Sequence, residues 1–292
     1  MPGIKYFPSN LNVQNKRIVV RVDLNVPLKD KKIQDSTRIE QTLPLLQDLI
    51  KRKAKIILIS HLGRPKGMRD STLSLLPIYK YLKKKLDTNM YFYTGEIDDE
   101  LKIKCSYLKE SEILLMENIR FFKEETEDDE RFSKKLGKLG EIYINDAFSC
   151  SHRKQSSIHN ITKFVKEIYA GPLLKKEIAA IDSVIKKKKD PVTCIIGDGG
   201  LQLCLGELAT VVRHQLPLKI VLFNNHSHGI QKQTLDTWLD GNYTGVDPAS
   251  GLGLSDFPAV AKAMGLPVVS ISKTSDIKRK LIEVYAMPGP VF

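Results

Sequence analysis

The chain has 292 residues, enough for two domains of ordinary size. Its content of 42% hydrophobic and 27% charged residues supplies material for real cores and excludes a disordered chain. A formal net charge of +12 points to anionic partners or to a solvated, lysine-rich surface fed by tracts such as Lys186–Lys189.

Taken in order, Arg17–Val22 is a β-branched run and predicts a strand that ends at Asp23-Leu24-Asn25-Val26-Pro27. Asp35-Ser36-Thr37 signals a helix start, and Ile39, Leu43, Leu46, Leu49 and Ile50 give that helix its apolar face. Lys55–Ser60 predicts a second strand, followed by His61-Leu62-Gly63-Arg64-Pro65. A helix over Leu73–Leu86, a short strand at Met90–Tyr93 and a strand at Glu112–Met116 follow. Then come a single acidic helix from Glu124 to Leu139 and a strand at Ile142–Asn145. Strands alternating with helices predict a parallel α/β sheet covered on both faces.

The polar residues fall into a pattern. Asp23 and Asn25, His61 and Arg64, Asn118 and Arg120, and His152 and Arg153 each follow the carboxyl end of a predicted strand. Arg38 lies in the first turn of the helix after such a strand. Ligands of open α/β sheets bind outside those ends. Four arginines and two histidines at equivalent places therefore predict one crevice for a small anion with at least two acidic groups. Arg21 alternates with Val20 and Val22, so it is expected to point away from the crevice.

Four stretches carry a resemblance: Arg21–Pro27 (RVDLNVP), Ser60–Gly67 (SHLGRPKG), Glu117–Phe121 (ENIRF) and Asn145–Arg153 (NDAFSCSHR). In this order and spacing they resemble the N-terminal domain of phosphoglycerate kinase, and Ala170–Glu177 resembles the start of that family's interdomain helix. The likeness runs from residue 1 to about 197. It implies a glycolytic kinase that moves a phosphoryl group between 1,3-bisphosphoglycerate and ADP. It also implies that Asp23, Asn25, Arg38, His61, Arg64, Arg120 and Arg153 hold 3-phosphoglycerate, with Arg38 stabilising the transferring phosphoryl group.

The stretch Pro191–Gly200 (PVTCIIGDGG) then breaks the pattern. The family's next strand leads into a Gly-Gly-small-Lys-Val turn, but here Asp198 follows Gly197 and no lysine follows Gly199-Gly200. The ATP/ADP site implied by the kinase resemblance is not found. Leu201, Leu203, Leu205, Leu208, Ala209 and Val212 predict one apolar helix, and Lys219–Phe223 predicts a strand ending at Asn224-Asn225. Asp198 and Asn225 are 27 residues apart, so two strand ends carry a carboxylate and an amide oxygen that can share a hard cation. Glycines beside Asp198 let backbone approach a diphosphate.

Gly197-Asp198-Gly199 and Asn224-Asn225, with Gly206–Thr210 (GELAT) and Leu216–Val221 (LPLKIV) between, resemble the cofactor-binding C-terminal domain of thiamine-diphosphate enzymes of the acetolactate synthase type. The resemblance implies that Gly197, Asp198, Gly199 and Asn225 bind thiamine diphosphate. Asp198, Asn225 and the Ser227 carbonyl would hold Mg²⁺. The activating glutamate of such enzymes comes from another domain, so that chemistry would need a partner chain. His226 and His228 are given no catalytic role. Helices at Phe257–Ala263 and Asp276–Tyr285, a strand at Pro267–Ser270 and a strand started by Pro288–Phe292 complete the prediction, the last being expected to run on in that family.

The expected fold is α/β: a parallel-sheet, three-layer N-terminal domain over residues 1–185 and a smaller, partial parallel α/β domain over 186–292. Three readings stay open: a phosphoglycerate kinase relative with a replaced nucleotide lobe, a thiamine-diphosphate module with an extra lobe, or an inactive composite of the two. Cys105, Cys150, Cys194 and Cys204 form no Cys-x-x-Cys pair, which fits a reduced, cytoplasmic protein. The N-terminus shows no signal-peptide pattern, and no apolar run reaches the ~20 residues of a membrane span. No recognition motif for nucleic acid is present, so the expected partner is a small phosphorylated molecule.

Overall fold

The computed structural model describes residues 3–186, 191–238 and 240–292. Most of the Lys186–Lys189 tract lies outside them. The chain divides into two compact units, one running to Ile181 and the other starting at Asp182.

Unit 1 is built on a six-stranded sheet. Its strands are β1 (Arg17–Arg21), β4 (Lys55–Ile59), β5 (Met90–Tyr93), β6 (Ile113–Met116), β7 (Ile142–Asn145) and β8 (Glu167–Ala170). A small hairpin, β2 (Leu28–Lys29) and β3 (Lys32–Ile33), sits between β1 and β4 in the chain. The sheet order is β5-β6-β4-β1-β7-β8, and every pairing is parallel. Parallel strands covered on both faces are apolar on both, and β1, β4 and β6 are buried almost throughout. Side chains alternate between two cores. Ile18, Val20, Ile56 and Leu58 pack beneath α1 (Thr37–Lys51) and α2 (Leu76–Lys85). Val19, Ile57, Ile59 and Tyr143 pack with α3 (Asp99–Ser106) and α5 (Glu130–Gly137). The result is three layers.

One expectation in unit 1 is corrected. The acidic stretch is two helices, α4 (Lys123–Thr126) and α5, and not one. Asp128 takes a left-handed conformation (φ 54°), and its carboxylate accepts from the Asn160 amide. Asp129 caps the new helix by accepting from the Phe132 amide at 2.7 Å.

A long helix, α6 (Pro172–Lys186), follows β8. Unit 2 then contains β9 (Val192–Gly197), α7 (Asp198–Leu203), α8 (Glu207–Arg213) and β10 (Leu218–Phe223). After these come α9 (Gly229–Trp238), α10 (Phe257–Ala263) and α11 (Ile277–Ala286). β9 and β10 pair in parallel, and among the described residues β9 has no other strand beside it. Leu201, Leu208, Val211, Ile220, Phe257, Ala261, Leu266 and Phe292 form the core of this unit. The single helix expected over Leu201–Val212 is two, separated at Cys204–Gly206, where Leu203 turns outward and is 87% exposed. Pro267–Ser270 is not a strand. It makes two backbone bonds with the last residue, Val269 N to Phe292 O and Phe292 N to Pro267 O, each 2.9 Å. Val291 bridges in parallel to Lys219.

Candidate functional site

The chain reverses direction across the sheet at β1, so the loops after β1, β4, β6 and β7 crowd one edge. Short polar side chains tie them together. Asn25 accepts from the Gly63 amide at 2.9 Å, linking the loops after β1 and β4. Asn118 is fully buried and uses its whole amide. Its oxygen accepts from Leu62 N and Arg120 N, and its nitrogen donates to Leu62 O and Leu73 O. That joins the loops after β4 and β6.

Two cavities open beside this scaffold. The first, about 350 Å³, is lined by Arg64, Lys66, Arg120, Lys123, Arg153 and Gln155, with Thr126 and Glu127 at its side. Five cations against one carboxylate give it a strongly positive lining, suited to an anion. Arg120 is anchored through one terminal nitrogen to Gly63 O (2.8 Å) and through the other to Gln155 (3.4 Å). The Nε groups of Arg120 and Arg153 are buried and have no partner among the described residues. A buried unpaired N–H is costly, and an incoming oxyanion would satisfy it.

The second cavity, about 220 Å³, is lined by Asp23, Arg38, Gln41, Asp146, Ser149 and Glu177, with Phe148 and Leu173. Asp23 pairs with Arg38 and accepts from the Ser149 hydroxyl. Asp146 accepts from Leu173 N (2.7 Å) and Leu174 N (3.1 Å), capping α6, while its second oxygen is buried without a partner among the described residues. Burial pushes its carboxyl above the ordinary range. Gly171 is required here, because an added Cβ would lie 2.4 Å from the Asp146 carboxylate.

His61 is 3% exposed and lines neither cavity. Burial and the charges of Arg21, Arg120, Arg153 and Arg38 push its pKa down to about 2, so the ring is neutral. Arg21 is the residue that strand alternation had turned away. It is completely buried on the Val19 face, and one of its terminal nitrogens lies 3.1 Å from His61 Nδ1. The available signal was an arginine inside a β-branched run, a charge that burial makes expensive unless it serves something. Asn118 and Gln155 also support the cavity. Gln155 carried no sequence signal.

In unit 2, Asp198 is 2% exposed and starts α7. Its carboxylate accepts from Gly199 N (2.8 Å) and from Ser227 N (3.2 Å). The Asn225 side-chain oxygen also accepts from Ser227 N at 3.2 Å, so the two oxygens converge on one point. Oxygen ligands are those a hard cation takes, but the point these two face is filled by the Ser227 N–H. Gly197 has open space where a Cβ would be, whereas a Cβ on Gly199 would lie 2.2 Å from His228 Nδ1. The His228 ring therefore covers the glycine face that a diphosphate would approach. No cluster of three His, Cys, Asp or Glu side chains suited to a metal occurs among the described residues.

Residues 9–212 match the family model "Phosphoglycerate kinase". The chain belongs to the phosphoglycerate kinase family. Among curated relatives, phosphoglycerate kinase of Wolbachia pipientis wMel is 43% identical over 188 residues, covering 64% of this chain and 47% of the relative. That of Nostoc punctiforme is 40% identical over 205 residues, covering 70% and 51%. The chain thus spans about half the length of the curated phosphoglycerate kinases it matches. The structure of phosphoglycerate kinase from Coxiella burnetii aligns with a TM-score of 0.65 and 27% identity, covering 97% of this chain and 65% of that one. The Pyrococcus horikoshii OT3 enzyme aligns with a TM-score of 0.66 and 25% identity, covering 80% and 62%. Residues 178–292 also match the model "Thiamine pyrophosphate enzyme, C-terminal TPP binding domain". The two matches overlap over residues 178–212, from within α6 through β9 and α7 to most of α8. Among the described residues, no helix is long and apolar enough to cross a membrane.

Proposed function

We propose that this chain binds 3-phosphoglycerate in the arginine-lined cavities of unit 1 and does not transfer phosphate by itself. The carrying observation is the cavity of Arg64, Arg120 and Arg153, in which two guanidinium Nε groups are buried and unpaired. These three arginines take the ligand's anionic groups as planar, charge-assisted donors. His61 lies behind the cavities as a neutral ring, Asn25 holds the Gly63 loop, and Asp23 keeps Arg38 at the rim of the second cavity. Arg38 is the candidate catalytic residue, its charge being suited to a phosphoryl group in flight.

Transfer also needs a nucleotide, its Mg²⁺ and a lobe to hold them. The residues that would begin such a lobe, 178–212, match both family models, and the match to the thiamine-diphosphate domain alone continues to residue 292. The 1–185 and 186–292 lobes of this reading therefore serve different ligands. A cytoplasmic setting fits the four free thiols. Isothermal calorimetry tests the reading: heat with 3-phosphoglycerate is expected, and its absence at millimolar ligand would sink the proposal. An ATP-coupled assay is expected to show no turnover above background, and measurable turnover would overturn the claim of a replaced lobe.

A second reading rests on the convergent oxygens of Asp198 and Asn225. With the Ser227 carbonyl they would hold Mg²⁺, which when bound would anchor the diphosphate of thiamine diphosphate. The His228 ring would have to leave Gly199 first, and the acetolactate synthase type of chemistry would require a glutamate from a partner chain. Calorimetry with Mg²⁺ and thiamine diphosphate, repeated on His228→Ala, separates this reading from an inactive composite. Heat in neither protein leaves the composite.

A further inference from the structure

We infer that Arg21 is a positioning residue that fixes His61 as the neutral imidazole with its proton on Nε2, so that His61 can meet an anion as a donor without carrying charge. The role of that donor rests on the proposed 3-phosphoglycerate site; the ring state itself does not.

The geometry leaves one arrangement. A guanidinium has donors and no acceptor. The Arg21 terminal nitrogen lies 3.1 Å from His61 Nδ1, so Nδ1 must present its lone pair, and the ring's single proton sits on Nε2. Among the described residues, the hydrogen-bond partner within reach of Nε2 is the Cys150 sulfur, a weak one that lies 3.9 Å from both ring nitrogens and so does not discriminate between them. Nε2–H therefore has no strong acceptor among the described residues, in a ring that is 3% exposed and lines neither cavity.

Arg21 is itself held from behind. Its second terminal nitrogen donates to Val22 O, and its Nε donates to Ser157 Oγ at 3.0 Å. The Ser157 hydroxyl has one proton, which goes to Glu125 at 2.6 Å, and the Ser157 amide donates to the other Glu125 oxygen at 2.8 Å. Tyr143 donates to Ser157 O at 2.7 Å. Arg21, Tyr143, Ser157 and Glu125 are all buried, so each donor and acceptor has a fixed direction. The groups facing His61 are Arg21 from β1, Arg38 from α1, Arg120 from the loop after β6, and Cys150 and Arg153 from the loop after β7. Four cations oppose a proton on Nδ1, and Arg21 already occupies its lone pair.

The test is ¹⁵N NMR of the full chain labelled in its six histidines, without ligand, with His61 assigned through His61→Gln. One protonated Nε2 and one unprotonated Nδ1 are expected, unchanged from about pH 5 to 8. Arg21→Lys, which keeps a donor, should retain this pattern, and Arg21→Met should show a measurable Nδ1–H fraction. If Arg21→Met does not fold, Ser157→Ala, which removes the acceptor for Nε, is read in its place. An imidazolium or an Nδ1–H ring in the parent protein overturns the inference, as does an unaltered ring in whichever of these two variants folds. Because no ligand is present, a failed 3-phosphoglycerate titration would count against the proposed function and leave this result standing.

Discussion

Arg120 carries two jobs on one guanidinium, and they can be separated. Its terminal nitrogens brace Gly63 and Gln155, while its Nε has no protein partner among the described residues. Arg120→Met should weaken 3-phosphoglycerate binding by roughly tenfold to a hundredfold, the weight of one or two charge-assisted hydrogen bonds. Calorimetry reads this, and an unchanged affinity would remove Arg120 from the site. His61 makes a pH prediction. Folding holds it neutral down to about pH 2, whereas the unfolded ring titrates at its ordinary 6.5. Between these values the unfolded state takes up a proton that the folded state refuses. Stability therefore falls as pH drops below 6.5, by up to about 1.4 kcal/mol per pH unit from this group. Urea denaturation of His61→Gln should give a flatter slope of stability between about pH 6 and 4 than the parent shows. Buried Glu125 and Asp146 act in the opposite sense, because burial raises both carboxyls and favours the protonated, folded state at low pH. They are common to both proteins and drop out of the difference.

At the level of elements, Lys219 is a buried ammonium on β10 that donates to Met287 O at 2.6 Å and Gly289 O at 2.8 Å. It pins the final segment beside the strand. Lys219→Met would strand two carbonyls and should cost unit 2 about 2–3 kcal/mol. Hydrogen exchange of Val291 and Phe292 would speed up before that of Ile220. How far such elements were legible depended on the signal they carry. β1, β4, β6, β7 and β10 are apolar, β-rich runs bounded by polar turns, and the sequence alone places them within a residue or two. The placement of the basic loops was legible for the same reason, since strand ends fix where the next residues point, but the one crevice expected is two cavities, with Arg38 apart from Arg64, Arg120 and Arg153 and His61 lining neither. The break between α4 and α5 was not. It turns on Asp128 and its contacts with His159 and Asn160, 31 and 32 residues later, which no local pattern contains. Arg21 was misread because alternation reports a face and not what covers it. Here the covering face holds Ser157 and Glu125. The Pro267–Ser270 strand failed because its backbone partner is one residue, Phe292, and not a strand.

At the scale of the molecule, each unit has its own core, and each matches a different family model over most of its length. Two calorimetric unfolding transitions are expected, and 3-phosphoglycerate should raise only the one belonging to unit 1. A single cooperative transition that shifts as a whole would contradict this independence. The units also differ in finish. In unit 2, Ile195, Leu203, Phe223 and Ile230 are each at least 65% exposed. Among the described residues β9 pairs on one side only, and Ile195 stands 70% exposed on it. An unsatisfied row of backbone amides and carbonyls is a template for whatever extended chain it meets next. In a living cell that makes β9 a matter of quality control more than of chemistry. Chaperones and proteases read open strand edges, and steady-state abundance follows how often they find one. A lysine at Ile195 should therefore lengthen the protein's cellular lifetime while leaving the unit 1 crevice untouched.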